Sequence, residues 1–225
     1  MKRKIAIVFL TMLMVACTKV PITNRKQMNL IPESQLIGMS LSGYKEFLDK
    51  NPPVSSNDAN AALVTKVGGK ISSAVNRFMA QNKMGDRVKG FKWEFKLVNS
   101  NDVNAWCMPG GKIAFYSGIL EVTKDENGLA AVMGHEIAHA VARHSLERAS
   151  AALAVNVGTL AADIALGGAI SRTRNTVGQT TGMDVVQLGI FNPFSRYQES
   201  EADYLGVIFA NLAGYDPSGA VQLWE

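Results

Sequence analysis

The chain has only three histidines, and all of them fall between positions 135 and 144. Two of these, His135 and His139, stand four apart in "GHEIAHA", with Glu136 directly after the first. Residues four apart on a helix share a face, with about 5–6 Å between their β-carbons. Two imidazoles so placed can converge on one zinc ion at about 2.0–2.1 Å. Glu136 lies about 100° round the helix from His135. It can therefore flank the ion without coordinating it and act as general base and acid on a water that the metal activates. That chemistry suits amide hydrolysis. The flanks "LAAVMG" and "AVA" are apolar, so the helix is expected to be buried, and a buried His or Glu is costly unless paired or metal-bound.

A third ligand has to come from elsewhere. The extended pattern H-E-x-x-H-x-x-G-x-x-H fails, because Ala142 and Ser145 occupy its last two positions. His144 is expected to point away and to pack or cap. Glu147 stands eight residues beyond His139, a rise of about 12 Å, too far for the same ion. The acids of "QESEADYLG" are the best source. On a helix Glu199 and Asp203 share a face, while Glu201 lies about 200° from Glu199. One face then carries a ligand, Glu199, and a carboxylate, Asp203, able to hold the N–H of a ligating histidine. Glu201 is the rival ligand.

Several elements must position these residues. Helical spacing runs through 34–51 and ends before Pro52-Pro53. A second helix starts near Ser56–Asp58, with Leu63, Val67, Ile71, Val75 and Phe78 as its core stripe. "FKWEFKLV" (91–98) alternates as a half-buried strand, and "KIAFYSG" (112–118) reads as another after the Pro109-Gly110-Gly111 turn. Thr123 and Glu126 have capping-box spacing for a helix expected from about Asp125 to Ser150. Residues 151–190 read as a buried or membrane-surface helix followed by a Gly/Thr-rich loop. Packing is its simpler role, and a lid over the site is the alternative. A helix follows over 195–217, with Ser195 and Gln198 as its capping box and Gly214 at its end.

The N-terminus carries a separate signal. Lys2, Arg3 and Lys4 precede twelve apolar-dominated residues, Ile5 to Ala16. That run is too short for a membrane span, which needs about 20 residues. It suits a secretory signal peptide over 1–16. "MVAC" resembles a bacterial lipobox, which implies lipid attachment at Cys17 and a lipidated tether over 17–33. Localisation is then the cell envelope, lipid-anchored and facing the periplasm. The outer membrane is the expected one, although "TKV" after Cys17 gives no clear sorting signal. Removing the three leader cations leaves 20 of 23 basic residues against 19 acids, so nothing demands nucleic acid. With Cys17 acylated, Cys107 has no intramolecular partner and is expected to be a structural thiol.

H-E-I-A-H followed by E-S-E-A-D-Y-L-G and then A-G-Y-D-P resembles the zinc metallopeptidases of the HtpX and CAAX prenyl protease type. The leader "VPITNRKQMNL" is similar to their periplasmic lipoprotein branch, the LoiP- and BepA-like proteins, without the repeat domain. The resemblance implies a metallopeptidase domain over 34–225 with an α+β, mostly helical gluzincin fold and a small antiparallel sheet beside the HExxH helix. It implies one zinc per chain and endopeptidase action on misfolded or membrane-associated proteins. It places the third ligand on Glu199. It also matches "NAWCMPGG" to a substrate-binding stretch, with Asn104, Ala105, Pro109, Gly110 and Gly111, leading into an edge strand that can pair with an extended peptide. Such relatives continue with further helical sequence beyond the position of Glu225. Expected partners are protein or peptide substrates and, through Cys17, the membrane. Partners in envelope assembly are unnamed. The competing reading is a non-catalytic envelope chaperone or scaffold with a structural zinc site, which would have no use for Glu136.

Overall fold

The computed structural model describes residues 17–165 and 195–224. The proposed signal peptide and residues 166–190 of the segment read as a packing helix and loop, or alternatively as a lid, lie outside the described residues. The chain divides into two compact units, one within residues 1–36 and 145–193, the other within 37–144 and 194–225.

In the first unit, strands β1 (Cys17–Lys19) and β2 (Lys26–Met28) pair antiparallel. Part of the stretch read as a polar tether is thus a hairpin that buries Val20 and Gln27. Arg25 grips Glu147 through two hydrogen bonds of 2.5 and 2.7 Å, and Leu30 N–H donates to Ser150 Oγ at 2.9 Å.

Helix α1 (Glu33–Lys50) and helix α2 (Ala59–Gln81) match the two helices expected there. Asp58 caps α2 by accepting from the backbone N–H groups of Asn60 and Ala61. The buried stripe of α2 runs through Val64, Val67, Ile71, Val75 and Met79, one residue off the expected stripe at each end. The three-stranded sheet has the order β3 (Glu94–Val98), β5 (Lys112–Tyr116), β4 (Ala105–Met108). β4 runs antiparallel to β5, as expected, and β3 runs parallel to it, so the sheet is mixed. The strand that follows the Pro109-Gly110-Gly111 turn is the central one. The edge strand lies inside the stretch, at Ala105–Met108.

After the short α3 (Ile119–Thr123), helix α4 (Glu126–Ala142) carries the HExxH motif. Its N-cap is Asp125, whose side chain accepts from Gly128 N–H, while Thr123 belongs to the preceding helix; the expected Thr123 capping box does not form. The long helix expected over 125–150 also breaks. Arg143 adopts the left-handed conformation (φ 59°, ψ 38°) and ends α4, and a separate helix α5 (His144–Ala165) follows. Helix α6 (Arg196–Leu212) has the capping box that Ser195 and Gln198 predict, and Gly214 takes φ +81° just beyond it. A short α7 (Ser218–Trp224) follows. Among the described residues, no helix is long and apolar enough to cross a membrane.

Helix α4 is buried on most of its surface, as its apolar flanks require. It packs on α2, α6, α7 and β4. Its closest approach is to α6. A β-carbon on Gly134 would lie 2.4 Å from the Gly206 carbonyl oxygen, and one on Gly206 would lie 2.6 Å from the His135 nitrogen. Only glycine at both positions allows this backbone contact. It brings the second acidic motif over the first histidine motif.

Candidate active site

α4 presents His135, Glu136 and His139, and α6 presents Glu199 and Asp203. The Nε2 atoms of His135 and His139 lie 2.9 Å apart and face the Glu199 carboxylate at 3.5 and 3.7 Å. All three donor groups fall within 4.8 Å of one another. Two imidazoles and a carboxylate form a donor set suited to zinc. Asp203 Oδ1 sits 2.7 Å from His135 Nδ1, on the side of the ring away from the shared point. Glu199 and Asp203, four apart on α6, thus lie against opposite nitrogens of the same imidazole.

Exposure separates Glu199 from its rival. The Glu199 side chain is 44% exposed at the mouth of the site, whereas that of Glu201 is 3% exposed. Glu201 Oε2 lies 2.9 Å from His144 Nε2, and His144 Nδ1 lies 2.9 Å from His139 Nδ1. Sequence reasoning missed His144. In an unbroken helix it would lie about 140° round from His139. The turn at Arg143 brings it back against that ring. The clustering of all three histidines within ten residues was the available signal.

Electrostatics favour a positive charge at this point. Burial works against charging His135, but Asp203 and Glu199 outweigh it, and its pKa is pushed up to about 10. Glu136 behaves in the opposite sense. Burial raises its carboxyl to about 7, His135 draws it down, Glu199 raises it, and a hydrogen bond from the Cys107 backbone draws it down. A carboxyl poised near 7 suits a group that must both take and return a proton.

The Cys107 contact locates the sheet relative to Glu136. Tyr116 N–H donates to the Asn104 carbonyl, so the neighbouring Ala105–Phe115 pair is a non-hydrogen-bonded one. The alternation then turns the backbone groups of Ala105 and Cys107 away from β5, toward the free edge of β4. The turn residues are placed differently. The carbonyls of Gly110 and Gly111 accept from Lys92 and Glu94, and both glycines have positive φ, so this turn serves the pairing of β3. The Cys107 thiol is buried, as expected of a structural thiol, and burial raises its pKa well above the usual range.

Residues 66–225 match the model of Peptidase family M48. The chain belongs to that family. Among M48-like relatives, it is 34% identical over 210 residues to mitochondrial metalloendopeptidase OMA1 of Schizosaccharomyces pombe, covering 92% of this chain and 56% of that protein. It is 27% identical over 219 residues to the metalloprotease YcaL of Escherichia coli, covering 95% and 84%. The metalloprotease LoiP of the same organism is 31% identical over 144 residues, covering 64% and 55%. This chain therefore spans little more than half the length of that OMA1 relative. The mostly helical M48 architecture, with small antiparallel and mixed sheets, agrees with the fold class expected from the motifs. The M48 match supports the resemblance at family level. It does not reach the HtpX and CAAX prenyl protease branch or a lipoprotein identity.

Proposed function

We propose that this chain is a zinc-dependent endopeptidase of the bacterial cell envelope, in the LoiP- and BepA-like branch of the M48 family. One observation carries this reading: His135, His139 and Glu199 converge at one point, with the buried carboxyl of Glu136 beside them. Bound there, zinc supplies Lewis acidity for a carbonyl and makes water nucleophilic near neutral pH.

The protein's own groups do the rest. Glu136 takes the proton of the attacking water and returns it to the leaving amine. Asp203 accepts from His135 Nδ1–H and so directs the other nitrogen of that ring to the metal. Ala105 and Cys107 offer backbone groups at the edge of β4, where an extended peptide can add as a strand and run past Glu136. Glu136 already uses one of these groups, which sets the strand edge and the base side by side. The substrates in this proposal are misfolded or membrane-associated proteins, and Cys17 carries the lipid that holds the enzyme at the membrane.

The test is paired. Metal content of the purified mature chain is measured, and casein cleavage is followed with and without a chelator. One zinc per chain, with cleavage lost on chelation and restored by zinc, is the expected result. A chain that binds no zinc would overturn the proposal. Stoichiometric zinc with no cleavage of any unfolded protein would favour the scaffold reading.

A further inference from the structure

We infer that His144 and Glu201 form a buried relay that fixes the proton on His139 and thereby holds its Nε2 lone pair toward the metal. The inference rests on the zinc reading above and extends it to two residues outside the ligand set.

His139 Nε2 faces His135 Nε2 and Glu199, so a ligating His139 must carry its proton on Nδ1. That Nδ1 lies 2.9 Å from His144 Nδ1. Two ring nitrogens this close cannot both hold protons, so His139 donates and His144 Nδ1 accepts. A neutral His144 then has its proton on Nε2, where Glu201 Oε2 accepts it at 2.9 Å. The carboxylate at the far end thus sets both tautomers. If the order were reversed, His139 would carry its proton on Nε2 and could not bind a metal through it.

The surroundings hold this arrangement in place. His144 is fully buried and Glu201 is 5% exposed, so water does not compete for these bonds. The backbone carbonyl of His144 accepts from Gln198 Nε2, a residue of the α6 capping box. The two histidines of the site are therefore supported in different ways. Asp203 holds His135 directly from an exposed position, and Glu201 holds His139 through an intervening imidazole in the core. Histidines that bind metals commonly donate their second N–H to such a partner, and removing the partner costs about 10- to 100-fold in metal affinity. His144 and Glu201 are positioning residues, because neither reaches the donor point itself.

The experiment is a zinc titration of the full mature chain against a chromogenic chelator, for the parent, His144→Phe, His144→Asn and Glu201→Gln. Thermal unfolding of each metal-stripped protein is measured alongside. Phenylalanine keeps much of the ring volume but leaves His139 Nδ1–H without its acceptor. Asparagine restores an acceptor close to the lost Nδ1. We expect His144→Phe to weaken zinc binding about 10- to 100-fold, His144→Asn to recover most of that loss, and Glu201→Gln to weaken binding less than the phenylalanine variant. A purely structural role would lower the unfolding temperature of the metal-stripped variants and leave the affinity of the folded protein unchanged. Should His144→Phe not fold, Glu201→Gln against His144→Asn decides the matter. Parent-like affinity in every folded variant overturns the relay while leaving the zinc reading intact. A parent chain that binds no zinc overturns both.

Discussion

Gly206 and His135 meet backbone to backbone, so closely that a β-carbon on Gly206 would lie 2.6 Å from the His135 nitrogen and 2.8 Å from its α-carbon. The helix bearing the two imidazoles and the helix bearing Glu199 are therefore set at their spacing by the absence of a side chain. Gly206→Ala should force α4 and α6 apart next to the site. We expect a loss of about 1–3 kcal/mol in stability and weaker zinc binding than in the parent. Denaturant unfolding and a zinc titration check this. Parent-like values for both would mean that the helices adjust at no cost.

Glu136→Gln removes the proton acceptor and keeps the shape. The variant should hold zinc as the parent does and lose about 10²- to 10⁴-fold in cleavage rate. Retained proteolysis in metal-loaded Glu136→Gln would remove this residue from the mechanism.

Glu199→Ala should lose zinc more completely than Glu201→Ala. The first removes a member of the converging donor set, and the second acts only through His144 and His139. Metal content after dialysis ranks the two. The opposite ranking would move the third ligand to Glu201.

The pair between Glu94 and Lys112 gives a pH prediction away from the site. Burial raises the Glu94 carboxyl, but Lys112 at 2.8 Å and Lys96 more than offset this, and its pKa is lowered. A carboxyl whose folded pKa is depressed stabilises the fold above its unfolded value, about 4.3. That contribution is lost as pH falls through the folded value. Lys112→Met should thus differ from the parent by a pH-dependent part of no more than about 1 kcal/mol, present at neutral pH and lost as pH falls through the lowered folded value of Glu94. Unfolding free energies at pH 7, 5 and 3 test it, and a difference that stays constant with pH would contradict the pairing.

Arg143 holds φ +59° at the break between α4 and α5. Arg143→Val places a β-branched residue in the left-handed region and should cost about 1–2 kcal/mol more than Arg143→Asn. Equal stabilities of the two variants would mean that the break is not fixed at this residue.

The chemistry of the site was legible because helical periodicity is local. Four-residue spacing put His135 with His139 and Glu199 with Asp203 whatever the rest of the chain does, and the Ser195–Gln198 spacing marked where α6 begins. The amphipathic stripe of α2 and the strands within 91–98 and 112–118 followed from equally local patterns. Other features depended on contacts between segments far apart in sequence. The break at Arg143 replaces a helix that periodicity alone would continue. It places the buried ring of His144 between His139 and Glu201, the latter 57 residues further along the chain. The same dependence hid the parallel placement of β3 and the meaning of Gly134 and Gly206. A sequence determines which groups share a helix face. Which faces meet, how closely, and which buried carboxylate ends up behind which imidazole are settled by tertiary packing, because a buried polar group is stable only where another segment satisfies it.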